Sequence, residues 1–332
     1  MKKMSIFSGF SGVLLAVVFL AAGCSRGRET SAGSGNTPVK VVGFDAMNSN
    51  VFNSAIQDGC REMAGARGWE VMILQNDTDP EKTLRNIDSF ITRQVDYIFS
   101  GVIDAGLQET IYQKCRAAGM PVAFEGLEIE GYPTVAGNNY GGGRFAGEKL
   151  AAEAKKKWNG QVDLLLMIEA AETGEVNEKR MGGMFEGVTE NLDIPQNKIV
   201  WIDASVDDLL KGSTMIANTL TANPDAKRIL VCNFADVVGG VGTYNVAKAA
   251  NRLDQILLTG YHVADEATPG ILKQIPDIWI GQVDLMGYAF AKTAFDIFDK
   301  YEAGETVEPT MYYTDFVWID STNVDDYYPP SN

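Results

Sequence analysis

Histidine is all but absent from this chain: His262 is the single one among 332 residues. That excludes histidine-rich metal sites, and any histidine-dependent chemistry has to run through one imidazole. Cysteine is scarce as well, and four in this length are too few for a disulfide-stapled scaffold. Basic residues are outnumbered, with 28 Lys and Arg against 44 Asp and Glu and a formal charge of −16. Such a balance lacks the basic face that nucleic-acid binding needs, so no nucleic-acid partner is expected. The apolar run from Val13 to Ala22 is about ten residues long, half of what a membrane-spanning helix requires. What remains is a globular composition, 45% hydrophobic and 22% charged. The length suits one large or two medium domains.

The first residues read as an export signal. Lys2 and Lys3 precede the apolar run, which ends Leu20-Ala21-Ala22-Gly23-Cys24. That ending resembles a bacterial lipobox, in which the chain is cut before the cysteine and the sulfur is lipidated. Residues 1–23 are therefore expected to be a lipoprotein signal peptide, with Cys24 the lipidation site and the protein held to the membrane only through that lipid. Residues 24–37, rich in Gly, Ser and charge without apolar periodicity, read as a flexible tether. Cys60 and Cys115 fall in apolar helical patterns and Cys232 ends a strand pattern, which predicts buried free thiols.

From about Pro38 the chain alternates strand and helix. Val39–Phe44, Trp69–Leu74, Asp96–Ser100, Pro121–Phe124 and Thr134–Ala136 read as strands. So do Val162–Ile168, Ile199–Ile202, Ile229–Cys232, Ile256–Thr259 and Ile278–Gly281. Helices are expected between them, among them Val51–Arg67, one opened by Asp79-Pro80-Glu81, and one over Leu285–Tyr301. Others begin near Glu178, Asp207, Val238 and Ala264. Nearly continuous apolar strands bounded by helices mean parallel sheets covered on both faces. About ten such units are too many for one ordinary doubly wound sheet, so the fold class is α/β with two doubly wound parallel-sheet domains.

Ligands of open α/β sheets bind beyond the carboxyl ends of the strands. The residues found there are Asn50 and Phe52 after the first strand, Glu125 after the fourth, and Arg180 beyond the Val162 strand. Asn233 and Asp236 follow the Ile229 strand, then come His262 and Gln282. Each is a common turn, cap or surface residue on its own. Together they suit a small polyhydroxylated ligand: amides both donate and accept, charged groups strengthen those bonds, and an aromatic covers an apolar C–H face. No G-x-S-x-G, complete G-x-G-x-x-G or P-loop appears, so no enzyme is expected. The enzymatic alternative would use Glu125 with His262.

Several segments carry a specific resemblance. They are Asn50-Val51-Phe52-Asn53 with Gln57-Asp58-Gly59, Gly119-Met120-Pro121-Val122, and Val135 through Gly143. Arg180-Met181-Gly182-Gly183, Thr259-Gly260-Tyr261 and Ile280-Gly281-Gln282 complete the set. Over residues 39 to 318 the chain resembles the ribose/galactose type of periplasmic sugar-binding protein. The resemblance implies two α/β domains joined by a three-strand hinge, the type I periplasmic-binding-protein fold. It places residues 38–137 and 283–309 in the first domain, and 138–282 and 310–332 in the second. It implies a monosaccharide in the interdomain cleft and delivery to the permease and ATPase of an ABC transporter by a monomer. The same fold also serves signal-molecule, polyol or nucleoside receptors. The implied contacts are Asn50, the stacking Phe52, Glu125 where an Asp is usual, Arg180, Asn233, Asp236, His262 where another Asp is usual, and Gln282. A second stacking aromatic would fall near Val206-Asp207 and is missing. A calcium loop would fall at Trp158–Gln161, which is too short, so neither metal nor cofactor is expected.

Overall fold

A computed structural model describes residues 39–49, 51–126, 128–206 and 208–329. The signal peptide, the tether, Cys24 and Asn50 lie outside the described residues. Two six-stranded sheets form the frame. The first contains β1 (Val41–Ala46), β2 (Glu70–Gln75), β3 (Tyr97–Val102), β4 (Val122–Gly126), β5 (Thr134–Gly137) and β11 (Met311–Thr314). The second contains β6 (Leu164–Glu169), β7 (Ile199–Asp203), β8 (Ile229–Asn233), β9 (Ile256–Tyr261), β10 (Trp279–Asp284) and β12 (Val317–Ile319). Their orders are β11-β5-β4-β3-β1-β2 and β12-β10-β9-β8-β6-β7. All pairings are parallel except β10 with β12. Each order reverses once, beside β1 and beside β6, and a doubly wound sheet opens its ligand crevice at such a reversal. The strands are apolar because both faces are covered: β3, β8 and β9 are buried at every position.

The helices are α1 (Val51–Ala66), α2 (Pro80–Arg93), α3 (Ala105–Ala117), α4 (Asn139–Trp158) and α5 (Glu175–Thr189). After them come α6 (Leu209–Ala222), α7 (Gly242–Ala249), α8 (Thr268–Gln274), α9 (Gly287–Glu302) and the short α10 (Val324–Tyr327). Asp79 caps α2 as its sequence suggests, accepting from the amides of Glu81 and Lys82 with Pro80 in the first turn. Two helices start later than the periodicity predicts. The amides of Ala264 and Asp265 donate to the Asp236 carboxylate, which holds that segment as a loop until α8. A wide π-type turn at Asp236–Val241 precedes α7, and within it a Cβ at Gly240 would overlap the Trp279 ring. Cys60, Cys115 and Cys232 are buried free thiols.

The chain leaves the first sheet after Gly137, returns after Asp284 and leaves again between Thr314 and Val317. The last step corrects the expected boundary at 310, since Met311–Thr314 pairs with β5 in the first sheet. Strands of four and three residues are too short to read as apolar runs.

A seam of glycines joins α4 to α5. A Cβ at Gly143 would overlap the Arg180 carbonyl, one at Gly147 the Met184 carbonyl, and one at Gly187 the Arg144 carbonyl. The two backbones therefore touch, which sets Asn139 beside Arg180. Gly182, on the same helix, has nothing within 4 Å of its position. Gly147→Ala is expected to destabilise the fold by about 1–3 kcal/mol through overpacking. Gly182→Ala should stabilise it by about 0.5–1 kcal/mol by relieving helix entropy. Urea unfolding of both variants checks the pair, and equal effects would refute the seam.

Candidate functional site

The second sheet supplies a level row of side chains. Cys232 on β8 pairs with Thr259 on β9, and Gly260 pairs with Gln282 on β10, so Asn233, Gly260 and Gln282 lie level across three adjacent strands near their carboxyl ends. Gly260 has to be glycine because Asn233 lies across it. Both amides are buried and spend their nitrogens on backbone, Asn233 on the Thr259 carbonyl at 2.7 Å and Gln282 on the His262 carbonyl. A carbonyl can only accept, which fixes which amide atom is nitrogen. The remaining oxygens, Asn233 Oδ1 and Gln282 Oε1, have no hydrogen-bond partner among the described residues.

Arg180 is buried beside this row rather than paired with Glu178 or Glu186 on the surface. Its Nε and Nη2 donate to Asn139 Oδ1 at 3.2 and 2.9 Å, and its Nη1 donates to the Phe234 carbonyl at 2.9 Å. The guanidinium lies 4.3 Å from the Phe234 ring centre and 4.1 Å from that of Tyr261. Burial lowers its pKa to about 10, which leaves it a cation at neutral pH. A guanidinium has five N–H groups. The three bonds above leave one N–H on Nη1 and one on Nη2 without a partner among the described residues. Tyr261 donates to the Asn139 carbonyl at 2.6 Å and so holds the start of α4 against the same cation.

From the first sheet comes Glu125, buried, with Oε2 unpartnered among the described residues. Burial pushes its carboxyl up to about 8, so it is mostly protonated at neutral pH. Nearby Asp45 is also buried, but it accepts from Asn76, Asn86 and Ser100 and belongs to the sheet end itself. Phe52 stands over His262 with ring centres 5.5 Å apart. Burial and then the Arg180 charge hold the imidazole well below its usual pKa, so it is neutral. These two residues, from opposite lobes, line a cavity of about 130 Å³. Glu125 and His262 have no hydrogen bond between them, and no acid–base pair is assembled.

Asp236 is buried and bonded through one oxygen. Its Oδ2 accepts from the amides of Ala264 and Asp265 and from Thr268 Oγ1, so it anchors the loop after β9, although Oδ1 is unpartnered among the described residues. Residues that strand-end reading passed over are Asn139, Phe234 and Tyr261 around Arg180. At the cleft rim, Glu128 of the first lobe accepts from Lys179 of the second at 2.8 Å and from Tyr313 at 2.7 Å. The only signal for Phe234 and Tyr261 was an aromatic at a strand's carboxyl end, after Asn233 and Gly260.

Two doubly wound lobes, crossed three times by the chain and facing each other through polar strand ends, define a hinged solute-binding protein. Residues 36–302 match the model of the periplasmic binding protein domain, and the chain belongs to that family. The ribose import binding protein of Bacillus subtilis is 22% identical over 315 residues, covering 91% of this chain and 96% of the relative. The D-apiose import binding protein of Paraburkholderia graminis is 24% identical over 289 residues, covering 84% of this chain and 86% of the relative. A periplasmic solute binding protein of Actinobacillus succinogenes with bound D-allose superposes with a TM-score of 0.70 at 19% identity, over 87% of this chain and 100% of that one. A solute binding protein of Bacillus halodurans with bound myo-inositol gives 0.67 at 19% identity, over 89% and 99%. These relatives are transport solute-binding proteins, not enzymes.

The buried carboxyl makes a pH prediction. The Glu125 pKa rises from 4.5 in the unfolded chain to about 8 when folded. The folded state holds the proton more tightly, so this stability is present below pH 4.5 and lost as pH rises through 8. Urea unfolding of Glu125→Gln should show a smaller loss of stability between pH 5 and 9 than the parent. Identical pH slopes would mean that Glu125 is not buried as described.

Proposed function

We propose that the protein binds an uncharged polyhydroxylated ring, a monosaccharide or cyclic polyol, in the cleft between its lobes and delivers it to an ABC transporter. The observation that carries this is the set of unused bonding capacity around Arg180. Two N–H groups of the buried guanidinium, and the acceptors Asn233 Oδ1 and Gln282 Oε1, are left without a partner among the described residues. Buried polar groups cost free energy unless partnered. Vicinal hydroxyls, each a donor and an acceptor, satisfy both kinds at once. Phe52 supplies a face for ring C–H groups. Glu125, mostly protonated at neutral pH, adds a carboxyl O–H and no charge. The bound ring in the D-allose and myo-inositol complexes of the structural neighbours is of the same class.

Export fits membership in a periplasmic family, and among the described residues no helix is long and apolar enough to cross a membrane. We further propose that the exported chain is a monomer tethered through lipid on Cys24. Because one acyl chain binds membranes only weakly, the anchor would carry at least two. Cys24→Ser should abolish lipidation, and labelled fatty acid incorporated into the parent but not the variant checks it. A variant that is still processed and membrane-bound would exclude the lipobox.

Arg180 and Phe52 should fail differently. Arg180→Lys removes the fork, and charged hydrogen bonds of about 1.5–3 kcal/mol correspond to about one to two decades in Kd. That loss should depend on hydroxyl configuration, because the fork reads hydroxyls. Phe52→Leu should weaken all rings alike, because an aromatic face reads none. Calorimetry with D-allose and its epimer D-glucose separates the two. Parent-like binding by both variants would place the site elsewhere.

A further inference from the structure

Glu128 and Lys179 meet across the cleft, and each is prepared for the meeting by its own lobe. Glu128 follows β4 in the first lobe, with its side chain only 6% exposed. Its Oε2 accepts both from Lys179 Nζ of α5, at 2.8 Å, and from the Tyr313 hydroxyl of β11, at 2.7 Å. Tyr313 belongs to the same sheet as β4, so it holds the carboxylate from within the first lobe. On the other side Glu175, one turn back on α5, holds the Lys179 ammonium at 2.8 Å. Side chains held in advance lose less entropy when they pair. All four groups belong to the chain, so the bridge needs no ligand to form.

The second crossing between the lobes is built differently. Asp284 ends β10 in the second sheet, and Gly287 opens α9, where a Cβ would overlap the Phe52 carbonyl of α1. Only Leu285 and Met286 lie between these anchored points, so a swing of the lobes has to turn their backbone. Leu285 is packed against Gly137 at the first crossing, where a Cβ would overlap it. Met286 is left to take up the turn. Its backbone stands at φ 50°, ψ 93°, left-handed and beyond the small well that residues with a Cβ occupy there. Its amide donates to Asp284 Oδ1 at 2.8 Å, and its carbonyl accepts from the Ala289 amide at 2.8 Å. Strain of this kind persists only where the surrounding contacts enforce it.

We propose that these two features oppose each other and set the balance between open and closed lobes: Glu128 and Lys179 latch the lobes together, and the backbone at Met286 is a spring that opening relaxes. The latch then governs how long a ligand stays, although it lies outside the row of ligand-facing groups. The effect on ligand release rests on the sugar reading above; the balance itself does not.

Small-angle scattering of the ligand-free protein reads the balance. Lys179→Met and the isosteric Glu128→Gln should each enlarge the radius of gyration relative to the parent. The double variant should go no further than either single one, because the same bridge is lost in all three. Met286→Gly, which adopts this backbone without strain, should be more compact than the parent. Met286 also lines the cavity beside Phe52, so this variant is read without ligand. Release is followed by stopped-flow fluorescence with whichever of D-allose, D-glucose and myo-inositol binds the parent. It should be about threefold to tenfold faster from Lys179→Met, between the effects of an exposed and a desolvated ion pair. The proposal is overturned by scattering that is alike in the parent and both latch variants, by additive effects in the double variant, or by a Met286→Gly that is no more compact. Parent-like release from Lys179→Met overturns it as well. If none of these sugars binds the parent, the sugar reading falls, and scattering still decides the balance.

Discussion

The arrangement turns on one buried cation. Arg180 sits against the rings of Phe234 and Tyr261, held by Asn139 and a backbone carbonyl, with no carboxylate bonded to it among the described residues. An isolated charge in such a place is costly. The aromatic faces offset part of that cost, by about 2 kcal/mol for a desolvated contact, and the hydrogen bonds offset more. Every other element of the second lobe's site serves this placement. The glycine seam brings α4 and α5 into backbone contact, Tyr261 reaches the Asn139 carbonyl, and Gly142 leaves room for that hydroxyl.

Around the cation, donors and acceptors are left open in a particular way. The sheet's own needs are met: Asp45 is fully bonded, and Asp236 secures its loop. Among the described residues, buried Glu125, Asn233 and Gln282 each keep an unpartnered oxygen on the carboxyl-terminal half of a strand, while Gln108, Thr243 and Trp279 carry unpartnered atoms elsewhere. A protein interior rarely tolerates such a set, and the simplest physical account is that a ligand completes it. The Glu128–Lys179 pair, reinforced by Tyr313, bridges the lobes at the cleft rim. It is a contact that exists only while the two lobes stand close.

Much of this was legible in the sequence, for identifiable reasons. Long apolar strands and capped helices such as α2 read directly, because burial on both faces and N-terminal capping each leave a local mark. Arg180, Asn233 and Gln282 stand out because polar side chains at or beyond a strand's carboxyl end border the ligand crevice. What could not be read were features set by tertiary contact. The delayed start of α8 depends on a carboxylate almost thirty residues earlier, at Asp236. Met311–Thr314 joins the first sheet only because β5 offers an edge. Asp236 was grouped with the ligand residues because its position is right; which way its oxygens face is decided by Thr268 and two amides. The role of Asn139 was hidden because an Asn opening a helix is ordinary.

The glycine seam has a mechanical consequence. Backbones in contact along α4 and α5 cannot slide, so Arg180 and Asn139 form a fixed jaw whose spacing is set by the chain itself. The opposing surface is made differently: Phe52 rides on the first turn of α1, and Tyr288 stands partly in solvent. Substitution there leaves the seam intact. Within one scaffold, then, the fixed jaw dictates what every ligand must share, and the outer jaw is where one ligand can be exchanged for another.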